Sequence, residues 1–413
     1  MKKAFAFFVL VLIVVLGFIG AAYYMPGNVE EIKGGAISDV GTAAAQGSDG
    51  KGVESQKPVI TPSPVVIEPG KPLANPPSEV KAIYATGWTA GSSLRVDYLK
   101  KVIAETDANA VVIDLKDYAG AISYKTGDAR ISMYGGEENR ISDIRKLVAD
   151  LHANNIYVIG RITTFQDPVL AQKRPDIAVK DSKGNLWGDN KKLYWIDPSA
   201  KDAWDYNINL AKNAFNVGFD EINFDYVRFP SDGNLGATVY PVTDLKTTTK
   251  SAAVKSFFKY VRESLPGKTI SADLFGLVTV NKDDMGIGQI LENAFPYFDY
   301  IAPMVYPSHY ASGFDGYKNP ADYPYEVVNY SLASAEKRLA AAKAKDPSIN
   351  AKIRPWLQDF SLGAVYDAEK VKAQITASKD AGSVGWMLWS PKNIYTKEAI
   401  LSQNINTKTT QGE

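Results

Sequence analysis

Short apolar runs alternate with longer amphipathic stretches from about Val80 to the C-terminus. Eight runs rich in β-branched and aromatic residues predict strands. They are residues 81–88, 110–117, 157–165, 221–230, 269–276, 300–307, 352–360 and 383–391. Between them, apolar residues at helical spacing predict helices. The clearest helical stretches are residues 94–106, 140–154, 200–216, 247–264, 325–345 and 367–380.

This alternation predicts an α/β fold, a closed (β/α)8 TIM barrel. An open doubly wound sheet is the alternative, which the absence of a glycine-rich phosphate turn after any early strand disfavours. One insertion, residues 178–198, separates the third and fourth strands. It carries Lys183-Gly184-Asn185 between short alternating runs. We therefore predict a hairpin that overhangs the C-terminal mouth of the barrel, where the loops after strands collect.

The N-terminal segment follows a different pattern. Two lysines at positions 2 and 3 precede an uncharged apolar run, residues 4–24, which is about the 20 residues that a membrane-crossing helix needs. Residues 1–25 are predicted to be an uncleaved signal anchor, and a cleaved signal peptide is the alternative because residues 20–22 are small. The anchor would cross a cell membrane once and leave the barrel outside the cytoplasm. Cleavage would give a secreted protein.

Residues 26–78 form a second region, in which neither a helical nor a strand period of apolar residues persists. They are rich in Gly, Ala, Ser and Pro, which predicts a disordered, semi-extended linker. The barrel is then predicted over residues 79–405, with a short tail at 406–413.

Composition removes several kinds of chemistry. The 46 basic and 46 acidic residues cancel, so charge gives no reason to expect nucleic acid as a partner. There is no cysteine, which excludes disulfides and thiolate chemistry. Two histidines cannot build a three-histidine zinc site, and a carboxylate-rich site is the remaining metal alternative. We predict a monomer without metal or cofactor.

Polar residues lie near the C-terminal strand ends, where TIM barrels place their active sites. Asn223 and Asp225 share a face of the fourth strand, because alternate residues point the same way. Charged side chains inside a barrel are costly unless they are paired. A buried salt-bridge network, such as Asp114 with Arg161 and Asp225 with Arg228, is the alternative to an active site.

The most informative pair is Asp225 and Asp273, near the ends of consecutive strands. Neighbouring strands lie about 4.8 Å apart, so the carboxyl groups can face each other at roughly the 5–5.5 Å of a retaining glycosidase. Arg161 or Arg228 would keep Asp225 ionised, whereas apolar flanks and a like charge would raise the pKa of Asp273. We predict both aspartates as catalytic, with Asp225 as nucleophile and Asp273 as acid.

Further residues at or beyond strand ends are predicted to bind substrate. Aromatic faces pack on sugar rings while polar groups hold the hydroxyls. A satisfied loop residue is the alternative for His309, and a Schiff-base lysine is the alternative for Lys116. The predicted binding residues are Trp88, Asp114, Lys116, Arg161, Asn223, Arg228, Tyr306, His309, Trp356, Gln358, Asp359 and Trp389.

Several segments within residues 80–400 carry a family resemblance, and FDYVRFP (224–230) is the most specific. The others are GWTAGS (87–92), VVIDLKDYAGAISY (111–124), WIDPS (195–199), SADLFG (271–276), APMVYPSHY (302–310) and RPWLQDF (354–360). With these segments the chain resembles the bacterial "putative glycosyl hydrolase domain" family, barrels related to the alpha-amylase-like clan.

The resemblance implies a sugar-polymer hydrolase of the bacterial envelope. It places Asp225 at the clan's fourth-strand nucleophile and Asp273 at its fifth-strand acid, where the clan commonly has Glu. The clan's third carboxylate, after the seventh strand, falls near Asp359, with Gln358 as the alternative inward-pointing residue.

The predicted function is a glycoside hydrolase that cleaves O-glycosidic bonds of a cell-envelope or extracellular polysaccharide, or its oligosaccharides. The alternative is a non-catalytic carbohydrate-binding barrel of the envelope. A protein-binding scaffold would instead predict an apolar patch at the mouth. The separation of Asp225 and Asp273 discriminates between the first two.

Overall fold

The strands form one closed parallel barrel. A computed structural model describes residues 69–401. Its strands are β1 (Lys81–Ala85), β2 (Ala110–Lys116), β3 (Tyr157–Thr163), β4 (Glu221–Asp225), β5 (Thr269–Phe275), β6 (Tyr300–Met304), β7 (Lys352–Ile353), β8 (Trp356–Gln358) and β9 (Trp386–Trp389). Strands β7 and β8 are two pieces of the seventh barrel strand, interrupted at Pro355, which has no N–H for a ladder. Parallel pairing of β9 with β1 closes the barrel, and the TIM-barrel prediction is confirmed.

Helices cover the outside of the barrel. The α-helices are α1 (Gly87–Ala90), α2 (Ser93–Ala104), α3 (Ala129–Ser132), α4 (Ile144–Ala153), α5 (Pro168–Lys173), α6 (Lys201–Val217), α7 (Lys250–Ser264), α8 (Leu291–Ala294), α9 (Pro324–Lys345), α10 (Ala368–Asp380) and α11 (Lys397–Ile400). The 3-10 helices are Leu235–Ala237, Gly276–Thr279, Pro307–His309, Phe314–Gly316 and Pro320–Asp322. Each predicted helix is present, with its ends shifted by a few residues. Within residues 69–401, no helix is long and apolar enough to cross a membrane.

Part of the predicted linker contacts the barrel. The amide of Gly70 donates to the carbonyl of Asn216 at 2.8 Å, and that of Leu73 donates to Asp220 Oδ1 at 2.6 Å. Leu73 is also buried. The end of the barrel where the strands begin is therefore covered by residues upstream of β1. The predicted signal anchor, linker residues 26–68 and the tail 406–413 lie outside the described residues.

The insertion after β3 forms the predicted hairpin. Lys180 pairs antiparallel with Leu186, and Gly184 occupies the turn with a φ of +85°, which glycine adopts without steric cost. A second turn follows, with Gly188 paired antiparallel to Tyr194. This second turn brings Lys191 to the pocket at the barrel mouth.

The barrel interior combines an apolar layer with buried polar layers. Ala82, Val112, Ile159 and Met387 belong to the apolar cluster inside the strands, while a larger apolar cluster fills the space between strands and helices. Toward the mouth the polar side chains of β4 and β5 replace this packing. The barrel thus provides a rigid frame for polar groups at its C-terminal end.

Closure of the barrel depends on a glycine before β9. Gly385 has a φ of +78°, and a Cβ there would lie 2.0 Å from the backbone oxygen of Val80. Gly382 has a φ of +91° with nothing within 4 Å of its Cβ position. Gly382→Ala should therefore cost only the left-handed backbone strain, about 1–2 kcal/mol. Gly385→Ala should cost roughly 1–3 kcal/mol more, because backbone must move.

Urea unfolding of both glycine variants beside the unchanged protein measures this difference. If both substitutions lowered the free energy of unfolding equally, the backbone between β1 and β9 would accommodate the added Cβ without cost.

Candidate active site

A pocket of about 180 Å³ opens at the C-terminal mouth of the barrel. It is bounded by the ends of β3, β4, β5, β6, β8 and β9 and by the hairpin insertion. Its lining residues are Arg161, Lys191, Asp225, Tyr226, Arg228, Asp273, Phe275, Gly276, Leu277, Met304, Tyr306, His309, Tyr310, Trp356 and Trp389. The position agrees with where TIM barrels place their sites.

Arg161 on β3 is the electrostatic centre of the pocket. Its Nη1 donates to Asp114 Oδ1 at 2.6 Å, and its Nη2 donates to Asp225 Oδ2. Its Nε lies 3.6 Å from Asp273 Oδ2 and donates no hydrogen bond to another described residue. Three carboxyl groups therefore surround one buried guanidinium, and the two predicted catalytic aspartates both face it.

Strand register explains why Asp225 and Asp273 meet. Asn223 pairs with Ser271 and Phe224 with Ala272 across β4 and β5, so the next alternate positions carry the two aspartates to adjacent places on the lumen face. Asp225 Oδ1 also accepts from the Tyr226 amide at 2.5 Å. Tyr226 has a φ of +52°, an uncommon conformation for a bulky residue that turns the chain directly after the carboxylate.

Asp273 is held by donors on one oxygen only. Its Oδ1 accepts from Asn223 Nδ2 at 2.8 Å and from Trp356 Nε1 at 2.7 Å. Burial, followed by the nearby charge of Asp225, raises the pKa of Asp273 well above its ordinary value. The carboxyl group is thus biased toward its protonated form, with Oδ2 available to carry the proton.

Aromatic rings form one wall of the pocket. Tyr84 stacks on Trp389 with ring centroids 3.9 Å apart, and Trp389 lies 5.1 Å from the guanidinium carbon of Arg161. The Tyr84 hydroxyl donates to Asp114 Oδ2 at 2.5 Å. Trp356 meets Trp389 edge to face at 5.6 Å. These rings pack against the charged cluster from one side, and the partly exposed Trp389 offers flat apolar surface to a ligand.

His309 follows β6 and lines the pocket in neutral form. Burial lowers its pKa to about 4, and its Nδ1 lies 3.0 Å from Ser308 Oγ. Its ring packs edge to face with Tyr306 at 5.2 Å. Near neutral pH the imidazole can therefore exchange hydrogen bonds with a ligand, but it carries no charge.

Most predicted site residues lie in or directly under the pocket. Those lining it are Arg161, Asp225, Arg228, Asp273, Tyr306, His309, Trp356 and Trp389. Asp114 and Asn223 lie one layer below and contact the lining through hydrogen bonds. Arg228 forms no ion pair with Asp225, so of the two arginines considered for that role the structure selects Arg161.

Lys116 is placed differently from our prediction. Its ammonium group is fully buried beneath the helices, 2.7 Å from Asp167 Oδ2 and 2.7 Å from Asn207 Oδ1. The register of β2 against β3 shifts between Asp114 and Lys116, so the two residues do not share a face as strict alternation would require. Lys116 therefore forms a structural ion pair with Asp167, and it does not line the pocket.

Three further predicted binding residues lie away from the pocket. Gln358 Oε1 accepts from the Ser308 hydroxyl at 2.8 Å and braces the loop after β6. Asp359 accepts from the amide and hydroxyl of Thr396. Trp88 is 65% exposed on α1, with its ring 4.8 Å from the guanidinium carbon of Arg140. These residues support or flank the mouth instead of lining it.

Several residues that line the pocket or contact its lining were missed by the sequence analysis, and Tyr84 belongs to the second group. Tyr84 alternates with Ala82 along β1, and this period was a usable signal for a lumen position. Lys191, Tyr226, Phe275 and Tyr310 come from loops or strand ends, where no period reports direction. No group of three histidine, aspartate or glutamate residues within residues 69–401 is arranged to hold a metal ion.

Trp356→Phe should move the pH dependence of turnover. If Asp273 acts as an acid, activity is lost as pH rises through its raised pKa. The indole N–H stabilises the carboxylate form, and a hydrogen bond to a charged group contributes about 1.5–3 kcal/mol. Its removal should shift the alkaline limb of kcat upward by roughly one to two pH units. A pH profile of kcat measures this shift. An unchanged alkaline limb would mean that ionisation of Asp273 does not cause the loss of activity at high pH.

Glycosyl hydrolysis commonly uses a pair of carboxyl groups, and the C-terminal mouth of a closed parallel barrel is a place where such groups can meet. This chain has that arrangement, with aromatic rings beside it. Residues 82–395 match the family described as "Putative glycosyl hydrolase domain". The chain belongs to this family, so the resemblance inferred from its motifs is confirmed, and the membership supports the predicted glycosidase class.

Solved structures give further similarities. The PgaB (BpsB) glycoside hydrolase domain from Bordetella bronchiseptica is 12% identical, with a TM-score of 0.53 over 79% of this chain and 99% of that one; it supports the fold alone. A hypothetical protein from Ruminiclostridium thermocellum ATCC 27405 is 38% identical over 50% of this chain and 98% of that one, with a TM-score of 0.43.

A third similar structure is the alpha-galactosidase TtGalA from Thermus thermophilus in complex with stachyose. It is 14% identical, with a TM-score of 0.48 over 79% of this chain and 65% of that one. No curated protein matches the chain.

Proposed function

We propose that the protein hydrolyses O-glycosidic bonds of a cell-envelope or extracellular polysaccharide, with Asp225 and Asp273 as the reacting carboxyl groups. The observation that carries the proposal is their shared contact with Arg161 at a solvent-reached mouth. Both carboxyl groups lie around one guanidinium, so they are closer than the roughly 10 Å at which even an inverting pair no longer works.

The two aspartates have environments suited to different roles. Arg161 and the Tyr226 amide stabilise negative charge on Asp225, which suits a nucleophile. The raised pKa of Asp273 suits a general acid. In a retaining reaction, Asp225 attacks the anomeric carbon while Asp273 protonates the departing glycosidic oxygen. Water then attacks the glycosyl-enzyme ester, and Asp273 takes its proton.

Two other parts of the pocket support sugar binding. Trp389 presents aromatic surface to the apolar face of a sugar ring, and the buried Trp356 packs edge to face against it. Tyr306 and the neutral His309 offer groups that exchange hydrogen bonds with hydroxyls. Such a mixture of rings and a few polar groups is typical of carbohydrate sites.

Incubation of the full-length protein with a panel of envelope and extracellular polysaccharides tests the proposal. We expect new reducing ends from at least one polymer, and none from Asp225→Ala. Asp346→Asn, an exposed aspartate at the end of α9, serves as the control and should keep full activity. No new reducing ends from any polymer would contradict the proposal.

Arg161 also favours a second candidate. A guanidinium that contacts three carboxyl groups could serve only to hold a carbohydrate-binding pocket in shape. Tight binding of a polysaccharide without any turnover would select this non-catalytic barrel.

We also propose that the barrel lies outside a cell membrane, anchored by residues 1–25 and acting as a monomer. The uncharged run after two lysines supports the anchor. Protease digestion of intact and permeabilised cells should degrade the barrel equally in both. Protection in intact cells would contradict this location.

A further inference from the structure

Arg228 is a second guanidinium of the pocket, and within residues 69–401 no carboxylate lies within ion-pair distance of it. The residue follows β4 and is only 6% exposed, yet it lines the pocket. Within residues 69–401 it forms no ion pair, because the carboxylate nearest along the chain, Asp225, is engaged by Arg161. Nη1 donates to the backbone oxygen of Phe229 at 3.1 Å, and the carboxylates of Asp225, Asp232 and Asp189 act on the guanidinium only from a distance.

Aromatic rings surround this charge. The guanidinium carbon lies 4.5 Å from the ring centroid of Phe275, 4.9 Å from that of Trp195 and 5.1 Å from that of Tyr226. Burial among these rings lowers the pKa of Arg228. Cation–π contacts offset only part of the cost of removing a charge from water. The cage holds the guanidinium rigidly, as an anion-binding group requires.

The two other nearby carboxylates, Asp189 and Asp232, accept hydrogen bonds from groups other than Arg228. Asp189 is buried and accepts from Trp195 Nε1 at 3.1 Å and from two backbone amides of the hairpin. Asp232 accepts from the Asn190 amide at 3.1 Å. Lys191, on the same hairpin, is exposed and lines the pocket. It adds a second cation on the side where a ligand enters.

Three cations, Arg161, Arg228 and Lys191, line the pocket beside two carboxyl groups, Asp225 and Asp273. Both carboxyl groups contact Arg161, which leaves Arg228 and Lys191 free to contact a ligand. An Arg guanidinium binds carboxylate, sulfate and phosphate oxygens through two parallel hydrogen bonds. A neutral sugar would leave this capacity of Arg228 unused.

We infer that the substrate is an acidic glycan, whose carboxylate or sulfate group binds Arg228 while Lys191 contacts it from the hairpin. This inference rests on the proposed hydrolase function for its catalytic part, but the anion site itself does not require turnover. It predicts that the acidic group lies on the sugar beside the bond that is cleaved.

Paired polymers that differ only in charge provide the test. Polygalacturonate and hyaluronate are compared with their carboxyl-reduced forms, and chondroitin sulfate with its desulfated form, using the full-length protein. Binding and release of reducing ends are both measured. We expect at least one acidic polymer to bind about tenfold or more tightly than its less charged partner, with the preference falling as salt is added.

Substitutions test whether Arg228 and Lys191 cause the preference for acidic polymers. Arg228→Gln should abolish the difference between paired polymers, and Arg228→Lys should restore part of it. Lys191→Gln, at an exposed position that tolerates change, should reduce it severalfold. Arg130→Gln is the matched control, because Arg130 is exposed, contacts Asp128 and lies outside the pocket lining. Thermal unfolding checks that each variant is folded.

The outcomes separate this inference from the proposed function. Cleavage of neutral polymers with no preference for acidic partners would overturn the acidic substrate while keeping the hydrolase. Arg228-dependent binding of an acidic polymer without cleavage would keep the anion site and contradict the hydrolase. An acidic preference that persists in Arg228→Gln and Lys191→Gln, or no binding and no cleavage, would overturn the inference.

Discussion

Asp225→Asn is expected to reduce kcat by about a thousandfold or more on every glycoside that the protein cleaves. The amide cannot form the glycosyl ester, so both steps of a retaining reaction lose their covalent path. The substitution keeps the shape of the side chain, and its oxygen can still accept from Arg161. Steady-state kinetics on a polysaccharide and on an aryl glycoside of the same sugar measure the loss.

Asp273→Asn should behave differently in a way that identifies the acid. General acid catalysis contributes about 10²–10⁴-fold, but a good leaving group departs without protonation. We expect a loss of that size on the polysaccharide and a much smaller loss in the first step with an acidic phenol as leaving group. Added azide should accelerate turnover of this variant by replacing the base-assisted water.

Equal losses of kcat for Asp273→Asn on the polysaccharide and on the aryl glycoside would contradict the assigned roles. If Asp225→Asn kept its activity on aryl glycosides while Asp273→Asn lost it, the roles would be exchanged. Asp346→Asn is again the control, since its carboxylate lies on the surface. Unfolding curves of all three variants should match that of the unchanged protein within about 2 kcal/mol.

The sequence was sufficient for the fold and for the meeting of Asp225 with Asp273. Both follow from rules that act along the chain: the alternation of strands with helices, and the period of two within each strand. The partner of Asp225 was not determined by these rules. Arg161 and Arg228 were both candidates, and only the register of β3 against β4, with Thr163 opposite Asp225, brings Arg161 to the carboxylate.

Errors arose where a regular period ended. The register shift between Asp114 and Lys116 turns the lysine away from the pocket, where we had predicted it to bind substrate. Trp187 and Trp195 in the hairpin are buried at 4% and 2% exposure, so these two rings offer no open stacking surface beside the mouth. Such side-chain directions depend on tertiary packing, which a single strand's pattern does not contain.

The largest expected effect on stability concerns an ion pair deep in the lumen. Glu221 and Arg354 are fully buried, and the Arg354 guanidinium contacts both carboxylate oxygens. Removing one partner leaves an uncompensated buried charge, which costs about 3–5 kcal/mol. Arg354→Met should therefore lower the free energy of unfolding by that amount, measured by urea denaturation.

A second substitution should recover most of this loss. Glu221→Gln added to Arg354→Met removes the stranded charge while keeping an acceptor for the Ser271 hydroxyl, which donates to Glu221 Oε1 at 2.5 Å. The pair is then replaced by neutral groups of similar volume, a change that is often close to neutral. Arg174→Met, which removes a pair with the largely exposed Asp176 and Asp202, should cost about 1 kcal/mol or less. If Arg354→Met cost no more than Arg174→Met, Glu221 would have to be protonated or hydrated inside the barrel, and the lumen would not be the dry frame that positions Asn223 and Asp273 above it.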